Sequence, residues 1–166
     1  MSEPIDLDAH FSTRFYQEAV LDAWENKKKN KLLFVLPRRC GMDYLAFHMV
    51  IRQCVRKTCL VYYILPTFRS VRNAVWDAIS VDGIPFLSLI PKQLVANVNR
   101  SELSITFTNG SKLKFLGAMN VDNSAVGSNA QMIIISEAGV MQQRLQSLWE
   151  VLRPMLTINH GTALIF

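Results

Sequence analysis

The chain has 166 residues, half of them hydrophobic and 19% charged, a globular composition that excludes a disordered or fibrous chain. No run nears the roughly 18 consecutive apolar residues of a membrane span, and the acidic, polar start MSEPIDLDAH is not a signal peptide. A net charge of +5, concentrated at Lys27–Lys31, Arg38 and Arg39, Arg52–Lys57, and Arg69 and Arg72, predicts either a polyanion partner or ordinary solvated faces.

Phe15–Trp24 has helical spacing, with Phe15, Ala19, Val20, Leu21 and Trp24 offering an apolar stripe that KKKN then breaks. Leu32–Leu36 reads as a short apolar strand, Tyr44–Arg56 as a helix, and Leu60–Leu65 as a buried strand closed by Pro66. Ser70–Ile79 predicts a helix with Val71, Val75 and Ile79 on one face, and Ile84–Ile90 is short and apolar. Glu102–Phe107, the turn Asn109-Gly110 and Lys112–Leu116 predict a hairpin. Met132–Ile135 is a fully apolar strand, Leu145–Leu152 a helix stopping before Pro154, and Ala163–Phe166 one more apolar strand.

Apolar strands separated by helices predict an α/β fold, a mainly parallel sheet flanked by helices and carrying an antiparallel hairpin. One domain spans residues 1–166. The last strand stops at its most apolar point, which predicts a sheet incomplete at its C-terminus with an apolar edge needing cover. Cys40, Cys54 and Cys59 are odd in number and read as reduced thiols of a cytosolic protein. His10, His48 and His160 make no ligand set.

Three segments carry chemistry. LPRRCGMD, Leu36 to Asp43, lies between a strand and a helix, which is the frame of a P-loop. Of the four defined positions of G-x-x-x-x-G-K-[ST] only Gly41 holds; Leu36, Met42 and Asp43 replace the first glycine, the lysine and the hydroxyl. Backbone amides at the helix start would still face an anion, with Arg38 and Arg39 beside them. Pro37, Arg38, Arg39, Cys40, Gly41, Met42 and Asp43 are therefore the candidate nucleotide-binding residues; the competing reading is a plain strand–turn–helix corner. Second, Met132–Ile135 leads into Ser136-Glu137, where P-loop enzymes keep an acidic pair that holds magnesium and polarises water. Glu137 is the candidate general base, and Ser136, with Asp43, the candidate magnesium contact. Third, the amide of Gln17 is placed to read an adenine edge, with Tyr16 or Phe15 to stack, unless it is a surface glutamine of an amphipathic helix.

In this order the segments resemble the ATPase domain of the large terminase subunit, the DNA-packaging motor of tailed bacteriophages. The resemblance runs from roughly Phe15 to Phe166 and is carried by FYQEAVLDAW, VLPRRCGMDYLAFHMVIRQ, YYILPTFRSVRNAVWDAI, SELSITFTNGSKLKFLGAMNVDNSAVGSNA, MIIISEAGVM and LWEVLRPML. It implies a P-loop fold of the ASCE type that binds ATP and Mg2+ and couples hydrolysis to pumping double-stranded DNA into a procapsid. It also implies portal and small terminase subunit as partners, a homo-oligomeric ring on the portal, the host cytoplasm as location, and no membrane. Some branches look similar in using Gly-Lys-Asp at the loop and Ser-Glu on the strand, so Asp43 and Ser136 read as variants of a working site. Met42 does not: the family lysine reaches the β- and γ-phosphates, and methionine has neither charge nor donor. Its absence predicts a loss of about 3–4 kcal/mol of transition-state stabilisation, roughly 10²–10³ in rate. In the family the strand matching Ala163–Phe166 runs on into a coupling segment and a nuclease domain. Residues 1–166 therefore read as a partial ATPase domain without the nuclease. The alternative is a non-catalytic module of the same descent, binding DNA or packaging partners beside a vestigial nucleotide site. A helicase-like fragment is weaker, because it lacks downstream motifs.

Overall fold

The computed structural model describes residues 7, 11–37, 39–80, 83–121, 125 and 127–166. Arg38 and His10 lie outside them. The elements in chain order are α1 (Phe15–Glu25), β1 (Lys31–Leu33), α2 (Met42–Arg56), β2 (Leu60–Leu65), α3 (Phe68–Val71), β3 (Val95–Asn99), β4 (Ser104–Phe107), β5 (Lys112–Gly117), β6 (Met132–Ile135), α4 (Ala138–Met141), α5 (Gln143–Thr157) and β7 (Thr162–Ile165).

The strands form one open seven-stranded sheet in the order β1-β7-β6-β2-β5-β4-β3. The first five are mutually parallel; β5, β4 and β3 are antiparallel. The period of two along each buried strand sorts its side chains between two cores. Val61, Tyr63, Leu65 and Ile134 face the layer of α1 and α2, where Val20, Trp24, Leu45, Phe47 and Met49 are buried. Tyr62, Ile64, Ile133 and Ile135 face the opposite layer, against Leu148, Leu152, Met155 and Leu156 of α5. A sheet covered on both faces explains why β2 and β6 are continuously apolar.

The predicted α/β class, the helices at α1 and α2, and the strands β2 and β6 are all present. Four details differ. The first strand covers Lys31–Leu33, not Leu32–Leu36, because β1 has a neighbour on one side only and the chain then leaves the sheet, with Val35 92% exposed. The apolar edge expected at the last strand is instead β1: β7 is interior, paired with β1 and β6. The helix expected over Ser70–Ile79 starts at Phe68, capped by Thr67 and Ser70, and widens into a π turn at Arg72–Trp76. Ile79 leaves the helix to bridge Pro85 and is exposed. Finally, α5 runs through Pro154, which faces solvent, because Met155 and Leu156 continue the buried stripe beyond it. Packing of that stripe outweighs the lost hydrogen bond.

The hairpin turns at Asn109-Gly110, with Gly110 at φ 86°, and its outer neighbour β3 is an exposed edge strand with no apolar alternation to announce it. At the other end of β5, Gly117 sits under the β2–α3 turn. A Cβ there would lie 2.6 Å from the amide nitrogen of Phe68, so only glycine lets these segments pass.

Candidate functional site

The loop before α2 sits at the C-terminal ends of the parallel strands, where ligands bind in open α/β sheets. Gly41 is the N-cap of α2 at φ 71°, ψ 25°, and no side chain caps the helix. Among the described residues the first-turn amides have no side-chain acceptor, which leaves an anion-favouring end on a 15-residue helix. Arg39 also has positive φ, at 66°, and its side chain is exposed. Pro37 is exposed, and its carbonyl accepts from Cys40 Sγ at 2.8 Å.

The loop is tied from behind by α1. Gln17 is 2% exposed; its Nε2 donates to the carbonyls of Gly41 (2.9 Å) and Cys40 (3.3 Å), and its Oε1 accepts the Arg14 amide (3.0 Å). Tyr16 donates its hydroxyl to the Cys40 carbonyl at 2.8 Å and accepts from Arg14 Nη1. The amide expected to read an adenine edge is thus spent on the loop itself. Phe15, offered as a stacking ring, is exposed at the start of α1. A side chain at Gly41 would press on Gln17 Nε2 at 3.2 Å and strain the backbone as well, so glycine and glutamine fit as a pair.

Asp43, in the first turn of α2, reaches across to the strand ends. Its Oδ1 accepts from Ser136 Oγ and from the Tyr63 hydroxyl, each at 2.7 Å. Ser136 is buried directly after β6, and Tyr63 is buried on β2. The two residues expected to share a magnesium ion are therefore in direct contact. The usual roles are exchanged: the carboxylate stands on the helix and the hydroxyl on the strand. Burial first, and then the Asp43 charge, push the Tyr63 hydroxyl well above the ordinary tyrosine range. It stays a neutral donor across the physiological range.

Met42 does not face the loop opening as a free side chain. It is 6% exposed and belongs to the core under α1 and α2. Glu137 is exposed and has φ 57°, ψ 37°, the left-handed region that a residue with a Cβ enters at a cost of about 1–2 kcal/mol. Its carbonyl opens α4, and the next amide, of Ala138, is held by Phe166 O at 2.8 Å. Strain of this kind concentrates at functional sites.

The structure thus brings together Pro37, Arg39, Cys40, Gly41, Met42, Asp43, Ser136 and Glu137 around one end of the sheet. Among the described residues no group of three His, Cys, Asp or Glu could hold a metal by itself. The oxygens of Asp43 and Ser136 suit a hard cation, and magnesium commonly takes one or two protein oxygens and completes its shell from water and substrate phosphates. Sequence reading missed Arg14 and Tyr63, and it offered Tyr16 as a stacking ring, where the structure has its hydroxyl on the Cys40 carbonyl. The signal for Tyr63 was present: a tyrosine in a fully apolar strand needs an acceptor for its hydroxyl.

No protein-family model and no curated protein sequence matches the chain. Solved structures do. The large terminase ATPase domain of Thermus phage P74-26 superposes with a TM-score of 0.70 at 19% identity, over 93% of this chain and 64% of that one. A point variant of that domain gives 0.69 at 17%, with the same coverage. The large terminase of the thermophilic bacteriophage D6E gives 0.70 at 13%, over 93% of this chain and 38% of that one. The chain therefore spans less than two thirds of these relatives. Across nearly all of its own length it has the fold of the phage large-terminase ATPase domain.

Proposed function

We propose that the chain is the ATPase region of a viral DNA-packaging motor, a terminase large subunit, which binds ATP with Mg2+ at the loop Pro37–Asp43 to drive translocation of duplex DNA into a procapsid. The observation that carries this reading is the Ser136–Asp43 hydrogen bond, which joins loop and strand end at the place where such enzymes assemble nucleotide and metal. In this reading the α2 amides and Arg39 take the phosphates, with Arg38 as a further loop candidate. Asp43 and Ser136 hold Mg2+, which neutralises phosphate charge when bound. Glu137 is the general base. Gln17 fixes the loop from behind. Hydrolysis is weak, because Met42 supplies no ammonium.

A basic end supports the DNA partner. Lys31 opens β1 and Lys112 opens β5, at the end of the sheet to which α2 delivers Arg56 and Lys57. Arg56 pairs with Glu25 and Lys27 with Asp22, whereas exposed Lys28, Lys29, Lys31, Lys57 and Lys112 make no ion pair among the described residues. The portal and the small terminase subunit, a ring of copies and the host cytosol belong to the same reading. Among the described residues no helix is long and apolar enough to cross a membrane.

One observation favours a second reading, a non-catalytic module with a vestigial site: Met42 is packed in the core, with no cationic substitute at its position. Calorimetric titration with ATP and Mg2+ of the chain and of Met42→Lys separates the two. Weak binding that Met42→Lys strengthens supports the motor reading; no binding by either form sinks it. DNA affinity that falls steeply with salt supports the DNA partner, and affinity independent of salt removes it.

A further inference from the structure

We infer that Tyr63 is the positioning residue of the cation site: it holds Asp43 so that Oδ2, and not Oδ1, meets a divalent ion. The inference rests on the magnesium role proposed for Asp43. Oδ1 accepts two hydroxyl donors from two different strands, Tyr63 of β2 and Ser136 after β6. Two donors on one oxygen fix the rotation of the carboxylate and occupy the lone pairs that a cation would otherwise use. Oδ2 takes no hydrogen bond among the described residues, so it is the oxygen left for an incoming ion.

The sheet explains why a tyrosine is needed. Ile135 pairs with Ile64, so Ser136 follows level with Leu65, and the residue facing α2 one pleat deeper on β2 is Tyr63. From there a short hydroxyl would stop well below α2, and the ring carries the oxygen up to it. Tyr63 also leans on Phe115 within the core, 5.7 Å between ring centroids, which anchors its base. A hydroxyl at the tip of a packed ring loses little freedom when it binds, so it is a stiffer strut than the Ser136 side chain beside it.

The test uses Mn2+ alone as probe, on the whole chain, and follows paramagnetic broadening of the backbone amides of residues 42–45. The expected result is broadening in the wild-type chain, and an affinity about 10- to 100-fold weaker in Tyr63→Phe, which keeps the ring and removes only the hydroxyl. Equal Mn2+ affinity in both forms would make Tyr63 a packing residue and overturn the inference. Absence of broadening in the wild-type chain at millimolar Mn2+ overturns it too; ATP binding measured in EDTA then shows whether the nucleotide loop itself survives. Should Tyr63→Phe not fold, Tyr63→Met takes its place, filling the core without a hydroxyl: Mn2+ affinity about 10- to 100-fold weaker supports the inference, and affinity equal to wild type overturns it.

Discussion

The loop and the strand end meet at Asp43, yet they are built differently. The loop is fixed by carbonyls: Gln17 and Tyr16 together hold Cys40 and Gly41 from behind, and nothing cationic comes from position 42. The strand end is fixed by side chains, with Ser136 and Tyr63 converging on one carboxylate oxygen beside a strained Glu137. The scaffold of a phosphate site and its charge are thus separable. In the proposed reading the described part of the loop keeps its place beside Asp43 without the lysine that would face a phosphate.

The largest test of that separation is Met42→Lys. If the frame is intact, restoring the ammonium should raise Mg2+-dependent ATP hydrolysis by roughly 10²–10³, measured as phosphate release. A rate that stays flat would mean the frame has drifted as well as the charge.

Next in size is Gln17→Ala, which attacks the loop and spares the strand end. It removes one of the two donors on each of the Cys40 and Gly41 carbonyls, which keep the Tyr16 hydroxyl and the Leu45 amide, and takes the acceptor from the Arg14 amide, at a cost of about 1–3 kcal/mol. Urea unfolding should show that loss, and ATP affinity should fall while Mn2+ binding at Asp43 persists. Equal losses of both would show that the two regions are one unit.

Much of this was legible in the sequence. Gly41 before a helix, the apolar run ending at Ser136 and the Asn109-Gly110 turn are local signals, and each is where it was expected. What was not legible depended on partners distant in the chain. Gln17 looked like a reader of bases because its type fits that task; its carbonyl partners lie 23 and 24 residues away and appear only once α1 packs behind the loop. Tyr63 was passed over as core: its hydroxyl signalled an acceptor, but which one depends on Asp43, 20 residues away in the chain. β3 was missed because an edge strand held by one neighbour needs no apolar pattern.

Tyr63 also gives the strand end a pH signature. Its folded-state pKa is raised, so its contribution is fully present below the unfolded value of about 10 and is lost as pH rises beyond that. The wild-type chain should lose at most about 1.4 kcal/mol per pH unit above pH 10 through this group. Tyr63→Phe should remove that increment. The check is the difference between the two forms in urea midpoints across pH 9–11; parallel curves would show that the hydroxyl is not buried against a charge.

The smallest expected effect is also the most discriminating. Glu137 occupies a left-handed backbone position in which glycine is unstrained, so Glu137→Gly should stabilise the fold by about 1 kcal/mol, less what glycine adds to the freedom of the unfolded chain. An exposed glutamate with no structural task would be replaced at a gain. A glutamate kept for chemistry would show a second result: in the Met42→Lys background the same change should abolish hydrolysis while ATP binding is retained. Gain in stability together with loss of turnover is the pairing that strain held for function requires. Stability gained with turnover intact would move the base elsewhere and leave the strand end as a scaffold, like the loop it faces.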